Sequence, residues 1–316
     1  MKDVSIRDSP RKNPHAFSSE SIMDVGPVQF HDRIAQHEGD IMSIATRNVV
    51  TVQPTTPIID ALKTMTKGKI RHVPVTDAGT NRLEGIISSF DILDLFGGGA
   101  KSLFVEKKFK GNLLASINAE IREIMQHDVY SLPMTSSINR AFELMTKNNI
   151  GSLPIVDQDD QLVAICTEKD FLGLISSIKT GIKVRQLMKE GVKTADYNTS
   201  LWDAAKIMVG GHFKRLPVVK EGIFVGIITA FDIVKYVGGG EAFEKLITGN
   251  VHEAFDEPVG SLIAKDVVWT EPETDLGKAA EIMDEKGISS LPVIKNGKLK
   301  GIITEKDILI ALAKHT

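Results

Sequence analysis

The sequence predicts an α+β fold built from four copies of one small unit. One observation is a repeated motif: Ala-x-x-x-Met, then Pro, then Ser/Thr-x-x-Asp. The spacing from Ala to Pro is 13 residues in every copy, and the spacing from Pro to Asp is 17, 16, 15 and 15. Repetition of this kind decides architecture before local propensities do. The anchors are Ala61/Met65/Pro74/Asp91, Ala141/Met145/Pro154/Asp170, Ala204/Met208/Pro217/Asp232 and Ala279/Met283/Pro292/Asp307.

The second observation is that each copy predicts the element order β-α-β-β-α. A β-rich run comes first, at 49–52, 129–132, 192–195 and 267–270. A helix follows, with Ala and Met four residues apart on one face. A strand with Pro near its start, a turn, a second strand and a final helix complete the copy. N-cap residue types stand where the first helices should begin, and Pro57 suits a first helical position. The predicted starts are Thr56-Pro57, Ser137, Ser200 and Thr274.

No copy is long enough to form a core alone, so the copies should pair. The two halves of the chain also repeat each other. The first and third copies end in Gly97-Gly98-Gly99 and Gly238-Gly239-Gly240, whereas the second and fourth share Thr-Glu-Lys-Asp at 167–170 and 304–307. The glycines lack the Gly-Lys-Ser/Thr junction of a phosphate loop, so we interpret them as flexible helix ends.

Composition favours a soluble cytoplasmic protein and excludes several classes. The chain has 316 residues, 42% hydrophobic and 25% charged, with a net charge of −3 and one cysteine, Cys166. No disulfide framework can form, and the charge gives no drive toward nucleic acid. The apolar runs are short and interrupted by Gly, so we expect no membrane span. We expect no catalytic residue, metal or catalytic cofactor, because no nucleophile–base motif or metal-ligand spacing occurs.

The four Ser/Thr-x-x-Asp boxes are open to two interpretations. A hydroxyl followed three residues later by an acid is typical of a helix-capping box. The same geometry could also hold a ligand, because a helix N-terminus offers free N–H groups to phosphate and a carboxylate can accept ribose hydroxyls. The boxes pair Ser88 with Asp91, Thr167 with Asp170, Thr229 with Asp232 and Thr304 with Asp307.

The two residues before each Val/Leu-Pro separate odd copies from even ones. The first and third copies have the basic pairs Arg71-His72 and Lys214-Arg215. The second and fourth have small neutral pairs, Gly151-Ser152 and Ser289-Ser290. The basic pairs favour phosphate, since cationic donors make charge-assisted bonds that neutral side chains cannot match.

Taken together, Val/Leu-Pro-Val and Gly-Ile-Ile-Thr-x-x-Asp resemble the CBS domain, named after cystathionine beta-synthase. The resemblance covers residues 41 to 313 and implies repeats packed in two pseudo-twofold pairs that form a disk, with ligand clefts between paired repeats. In that family the Asp typically holds a ribose and the Ser/Thr lies near the phosphate. The implied boundaries are an N-terminal tail at 1–40, then CBS repeats at 41–97, 124–177, 187–238 and 263–313.

The basic pairs resemble those of the gamma subunit of AMP-activated protein kinase, where such residues reach nucleotide phosphates. The resemblance implies one site at Ser88 and Asp91 with Arg71 and His72, and adenine against Gly151-Ser152. A second site would combine Thr229 and Asp232 with Lys214 and Arg215, and adenine against Ser289-Ser290. Lys169 and Lys306 would point into the shared phosphate space.

We therefore predict a non-enzymatic sensor of AMP, ADP or ATP that signals to a regulated protein on another chain. A homodimer is an open alternative for its assembly. Two other functions stay open: a sensor of S-adenosylmethionine or methylthioadenosine, and a ligand-free interaction scaffold. The basic pairs count against the first because those ligands are uncharged or cationic. The retained Asp boxes count against the second, although capping weakens that inference.

Overall fold

The computed structural model describes residues 40–176, 178–264 and 266–314, so the predicted tail at 1–40 lies outside it except for Asp40. Within these ranges the α-helices are α1 (Ile41–Ile44), α2 (Ile58–Gly68), α3 (Ser89–Phe96), α4 (Leu113–Ile117), α5 (Ile138–Asn148), α6 (Leu201–Gly210), α7 (Ala230–Gly238), α8 (Val251–Phe255), α9 (Leu276–Lys286) and α10 (Glu305–Lys314). The strands are β1 (His72–Thr76), β2 (Leu83–Ser88), β3 (Leu132–Pro133), β4 (Ser152–Val156), β5 (Leu162–Thr167), β6 (Lys189–Glu190), β7 (Ala195–Asp196), β8 (Arg215–Lys220), β9 (Ile223–Thr229), β10 (Ser290–Lys295) and β11 (Lys298–Thr304).

Four antiparallel hairpins, β1-β2, β4-β5, β8-β9 and β10-β11, form the centres of the four repeats. The leading strands are shorter than the sequence predicts. β3 and β7 have two residues each, and in repeats 1 and 4 only the single parallel bridges of Val52 and Thr270 remain. Pro54 and Pro272 follow these bridges within two residues, and proline cannot donate to a β-ladder.

The helix starts agree with the sequence in the middle repeats and differ in the outer ones. Ser137 and Ser200 are N-caps, as predicted. Pro57 stands at the N-cap, so the prediction that it occupies the first helical position is wrong. The predicted cap Thr274 is also wrong. Asp275 caps α9 instead, and its carboxylate accepts bonds from Gly277 N and from Thr180 N at 3.0 and 2.9 Å, which ties the helix start to the preceding connection.

The final helix of repeat 2 also departs from the α-helix expected there. Residues Glu168–Leu174 form a 3₁₀ helix. The corresponding elements of the other repeats, α3, α7 and α10, are α-helices, and the glycines of Gly97–Gly99 and Gly238–Gly240 end the first two of these, as predicted.

Strand contacts pair repeat 1 with repeat 2 and repeat 3 with repeat 4. They do so through four segments, here called the exchanged segments, each of which precedes one repeat and docks on its partner. Residues 40–46 bridge β5 and residues 120–126 bridge β2, whereas residues 183–190 include β6, which pairs with β11. Residues 257–263 dock on repeat 3, where Leu201 N donates to Glu257 O at 2.9 Å. The hairpins of repeats 1, 2 and 4 therefore gain backbone partners from the other member of their pair, and repeat 3 gains them at the start of α6.

Helix packing joins the repeats in a different combination. In what we call the odd core, α2 and α3 of repeat 1 pack against α6 and α7 of repeat 3. In the even core, α5 and the Glu168–Leu174 helix of repeat 2 pack against α9 and α10 of repeat 4. The repeated alanines and methionines are all buried in these cores, as their shared helix face predicts. Every repeat thus contacts one neighbour through strands and another through helices.

Candidate ligand-binding site

The hairpin register brings the basic or small pair of each repeat against its Asp box. His72 lies opposite Ser88, and Arg215 lies opposite Thr229. The even repeats match, with Ser152 opposite Thr167 and Ser290 opposite Thr304. Side chains directly opposite on an antiparallel pair are near neighbours. The pairs and the boxes, separated by 14 to 16 residues in sequence, therefore form one local unit in each repeat.

All four boxes cap the helices that they begin. In repeat 1, Asp91 Oδ2 accepts from Ser88 N at 2.7 Å, and Ser88 Oγ accepts from Asp91 N at 3.3 Å. The backbone N–H of Thr167, Thr229 or Thr304 donates in the same way to its Asp at 2.7 to 2.9 Å. The capping interpretation thus describes the geometry, and it commits one carboxylate oxygen, Oδ2, in each box.

In three boxes the second oxygen, Oδ1, contacts a lysine that the sequence analysis did not identify. Lys101 reaches Asp91, and Lys235 lies 2.6 Å from Asp232 on the next turn of α7. Lys189, in an exchanged segment, lies 3.7 Å from Asp307. A hydroxyl group of a ligand that binds Oδ1 would therefore lie beside one of these lysines or displace it.

A cavity of about 190 Å³ lies at the repeat 1 box. Its lining includes five residues that the sequence analysis assigned to binding, drawn from repeats 1 and 2, and a sixth from repeat 3. Apolar and amide side chains complete the wall, among them the half-exposed Tyr130. The structure therefore brings three repeats together around one space, and the six assigned residues are His72, Ser88, Asp91, Gly151, Ser152 and Lys214.

Gly151 allows the close approach of charged groups at this cavity. A Cβ at position 151 would lie 3.3 Å from Lys214 Nζ and 3.5 Å from Glu168 Oε1. Burial raises the pKa of Glu168, which the positive charge of Lys214 opposes. Burial likewise lowers the pKa of Lys214, which Glu168 opposes. The two groups thus offset each other's desolvation, at the junction of repeats 2 and 3.

His72 is the uncharged member of the basic pairs. Burial, followed by the positive charges of Lys214 and Arg71, holds the pKa of His72 well below its usual 6.5. The imidazole is therefore neutral at pH 7, where it can offer one N–H donor and one acceptor.

Arg71 and Arg215 turn toward repeat 4 instead of lining the cavity. Arg71 Nη2 donates to Glu305 Oε1 at 3.2 Å, and Glu305 is only 3% exposed. Arg215 donates to Ser289 O at 3.0 Å and to Ser289 Oγ at 2.9 Å. Burial lowers the pKa of Arg215, yet a guanidinium stays charged at neutral pH. In the second cleft, the serine expected to face adenine, Ser289, is therefore already hydrogen-bonded to Arg215.

The two even-repeat lysines are placed differently from each other. Lys169 lies 3.7 Å from Asp284 on α9, so its ammonium points to that helix. Burial raises the pKa of Glu168, and Lys306 is close enough for its positive charge to oppose part of that rise. Of the two lysines predicted to face phosphate, Lys306 therefore lies near Glu168, and Lys169 contacts α9.

The sequence analysis missed Glu168 and Glu305, although a signal for them existed. Both follow the threonine of the Thr-Glu-Lys-Asp motif, and the odd repeats carry Ser89 and Ala230 at that position. The backbone places this position beside the basic or small pair: Glu305 N donates to Ser289 O, and Ala230 N donates to Lys214 O. The even repeats thus carry an acid at this position, whereas the odd repeats carry the basic pairs. The two sets of charges are opposite in sign.

Comparison with protein families identifies the class of this chain. The family model described as CBS domain matches residues 39–98, 121–177, 184–239 and 259–314. The protein belongs to the CBS domain family, with four CBS repeats, as the resemblance in the sequence predicted. Among the described residues, no helix combines the length and apolar character needed to cross a membrane.

Two relatives match most of this chain over most of their own length. An uncharacterised protein of Methanocaldococcus jannaschii, MJ1225, is 41% identical over 85% of this chain and 97% of its own. The crystal structure of MJ1225, which has been proposed as an archaeal homolog of γ-AMPK, gives a TM-score of 0.81 over 86% of this chain and 99% of that one. An uncharacterised protein of Thermofilum pendens is 29% identical over 84% of this chain and 88% of its own.

Proposed function

We propose that this chain binds adenine nucleotides in the cavity between repeats 1 and 2 and signals their presence to a regulated protein on another chain. The observation that carries the proposal is the convergence of Asp91, Ser88, His72 and Lys214 on one space opposite Gly151-Ser152. These residues combine a ribose acceptor, donors for phosphate and a small-residue wall for a base. MJ1225 supports the proposal through its suggested relation to γ-AMPK.

Each part of a nucleotide has a matching group. Asp91 Oδ1 would accept the ribose hydroxyls, with Lys101 moving aside or bridging. Phosphate would lie toward Lys214 and neutral His72, and the helix N-terminus at Ser88 adds N–H donors and positive potential. The base would lie against Gly151, Ser152 and Tyr130, where an apolar ring face and backbone groups are available.

A second, equivalent site would use Thr229 and Asp232 with Lys214 and Arg215, against Ser289-Ser290. Here Arg215 must release Ser289 before a base can enter, because its guanidinium makes two hydrogen bonds to that residue. We therefore expect the site at Asp91 to fill at lower ligand concentration than the site at Asp232. The even boxes at Asp170 and Asp307 lie opposite neutral serines and should bind phosphate more weakly.

The proposed role is regulatory and not catalytic. A ligand changes an equilibrium between conformations only when it binds them unequally. A nucleotide in this cavity would contact repeats 1, 2 and 3 at once, so it would favour the arrangement in which all three meet. A partner protein that recognises that arrangement would then bind with altered affinity.

Calorimetry on protein freed of bound ligand tests the proposal. We expect AMP, ADP or ATP to bind with a Kd on the order of 1 μM, or about −8 kcal/mol. S-adenosylmethionine and methylthioadenosine should bind more weakly, because neither carries a phosphate or a net negative charge that Lys214 would attract. Absence of heat and of any thermal shift with all three nucleotides would indicate the scaffold function instead. Tighter binding of the two other adenosyl ligands would indicate that alternative sensor.

The Asp box offers a matched control that separates capping from binding. Asp91→Ala should cost about 1 kcal/mol of stability as a lost cap and weaken AMP binding by about 1.5–3 kcal/mol. Asp203 makes a similar contact with the N-cap Ser200 of α6 and does not line the cavity. Asp203→Ala should cost similar stability and leave AMP binding unchanged. Equal effects of both variants on binding would mean that the Asp91 box is only a cap.

A further inference from the structure

The cationic groups proposed to meet phosphate already lie beside anionic groups of the protein. Glu305, the first residue of α10, is 3% exposed and accepts from Arg71 Nη2 at 3.2 Å. Glu168 stands at the equivalent position in repeat 2, and its carboxylate faces the same side of Gly151 as Lys214 Nζ. Two carboxylates from the even repeats thus oppose the cations of the odd repeats.

This arrangement imposes a competition on any phosphate that enters. A phosphate that reaches Arg71 must replace Glu305 as its partner, and one that reaches Lys214 must share that cation with the neighbouring Glu168. Both carboxylates also repel the incoming anion, and the repulsion grows with each negative charge on the ligand. Glu305 is buried, and Arg71, Lys214 and Glu168 are only partly exposed, so their charges are screened less than charges at the open surface.

We propose that Glu168 and Glu305 are specificity-determining residues that limit the negative charge accepted beside Arg71 and Lys214. The inference rests on the proposed nucleotide-binding function and adds to it a preference: the two carboxylates disfavour a triphosphate more than a monophosphate. Glu305 acts through Arg71 as a positioning residue, because it holds the guanidinium away from the cavity. Glu168 acts beside Lys214, which lines the cavity.

The inference also links the two pairs of repeats. The Arg71–Glu305 ion pair joins residues 234 positions apart, in repeats 1 and 4, which belong to different strand pairs and to different cores. A ligand phosphate that captures Arg71 would release Glu305. Occupancy at one strand pair would then change a contact made by the other.

The test replaces each glutamate by its uncharged isostere in the full chain and measures binding of ATP, AMP and adenosine. Glu168→Gln and Glu305→Gln should each tighten ATP binding about tenfold, equivalent to about 1.4 kcal/mol. AMP binding should tighten less, and adenosine binding should stay unchanged. Glu84→Gln removes the same charge from an exposed position of β2 and should change none of the three affinities. Glu305→Asp, which keeps the charge, should keep the wild-type ratio of ATP to AMP affinity.

The outcomes separate this inference from the function on which it rests. If wild-type protein binds no adenine nucleotide, both fail. If it binds nucleotides and the Gln variants leave ATP affinity unchanged or weaker, or tighten adenosine equally, only the charge-limiting role fails. Thermal unfolding checks that each variant folds. Should Glu305→Gln not fold, Glu168→Gln decides, because Glu168 is less buried than Glu305.

Discussion

His72 is neutral in a cluster of charges because water is largely excluded from its ring. Burial disfavours the imidazolium, and Lys214 and Arg71 disfavour it further by repulsion. Asp91, an acid that lines the same cavity, already has Lys101 as its partner. The same side chain in an unfolded chain would titrate near pH 6.5. Folding therefore disfavours the protonation of His72 that the unfolded chain allows.

The pKa of His72 predicts how stability depends on pH. The unfolded state binds the extra proton below about pH 6.5, and the folded state resists it, so stability falls as pH falls through that range. The loss attributable to one group can reach about 1.4 kcal/mol per pH unit. In urea unfolding at about pH 7 and about pH 5, His72→Gln should lose less stability on acidification than wild type. His212→Asn, which changes an exposed histidine, should retain the wild-type dependence; equal slopes for all three proteins would contradict the prediction.

At the scale of residues, the sequence predicts which positions meet but not where long side chains turn. The pairing of His72 with Ser88 follows from a constant spacing around a hairpin, so motif spacing suffices to predict it. The direction of Arg71 depends on Glu305, 234 residues away, and on burial that only the folded chain creates. Lys169 likewise turns to Asp284 on another repeat. The direction of a long charged side chain thus depends on its partner in the folded chain, which a repeat pattern does not reveal.

Two glycines set how closely the helices of the odd core approach. A Cβ on Gly97 would lie 2.9 Å from Val209 Cγ2 of α6, and one on Gly238 would lie 2.9 Å from Leu62 O of α2. The two contacts are counterparts, since each joins the end of a final helix to the first helix of the other odd repeat. The sequence interpretation of these glycines as flexible helix ends was incomplete, because a motif gives no distance to a neighbouring helix.

Substituting these glycines tests the helix contact. Gly97→Ala and Gly238→Ala should each lower the free energy of unfolding by about 1–3 kcal/mol, because the added methyl group overpacks the interface. Gly210, at the end of α6, would have no atom within 4 Å of an added Cβ. Gly210→Ala should therefore be neutral or stabilise by up to about 1 kcal/mol through helix propensity. Denaturant unfolding measures all three, and a stable Gly238→Ala variant would show that the helices can separate without cost.

Element order was largely predictable, and element length was not. The β-α-β-β-α order follows from apolar patterning and turn residues that every repeat contains. The leading strands shrink to one or two residues because nearby prolines and the turn into the next helix leave few backbone groups to pair. The difference between the 3₁₀ helix of repeat 2 and the α-helix α10 of repeat 4 has no counterpart in their shared Thr-Glu-Lys-Asp motif.

In the whole molecule, strand contacts and helix contacts connect the repeats in two different combinations. Strand contacts join repeats 1 and 2 and repeats 3 and 4, whereas the cores join repeats 1 and 3 and repeats 2 and 4. The sequence predicted pairing, since one repeat cannot bury enough apolar surface alone. It did not predict the second set of partners, because every first helix carries the same Ala and Met and so identifies no particular neighbour.

This double connection predicts that the chain unfolds as one unit. Phe96→Ala removes a ring 4.9 Å from Phe255 in the odd core, and Phe171→Ala removes one 4.4 Å from Phe142 in the even core. Each should cost about 3–5 kcal/mol and lower the midpoint of a single shared transition in calorimetry. Leu103→Ala, at a half-exposed site, should shift it little. Two transitions, each sensitive to only one phenylalanine, would show that the cores unfold independently.

The exchanged segments have a consequence for how such a chain can lengthen or shorten in evolution. Because residues 40–46 dock on repeat 2 and residues 120–126 dock on repeat 1, each repeat is completed by chain that belongs to its neighbour. A genetic deletion of one repeat would leave one exchanged segment with no repeat to dock on. It would also leave one repeat without the exchanged segment that completes it. Whole pairs carry both halves of the exchange and can be gained or lost cleanly. Descendants of this chain should therefore hold even numbers of repeats.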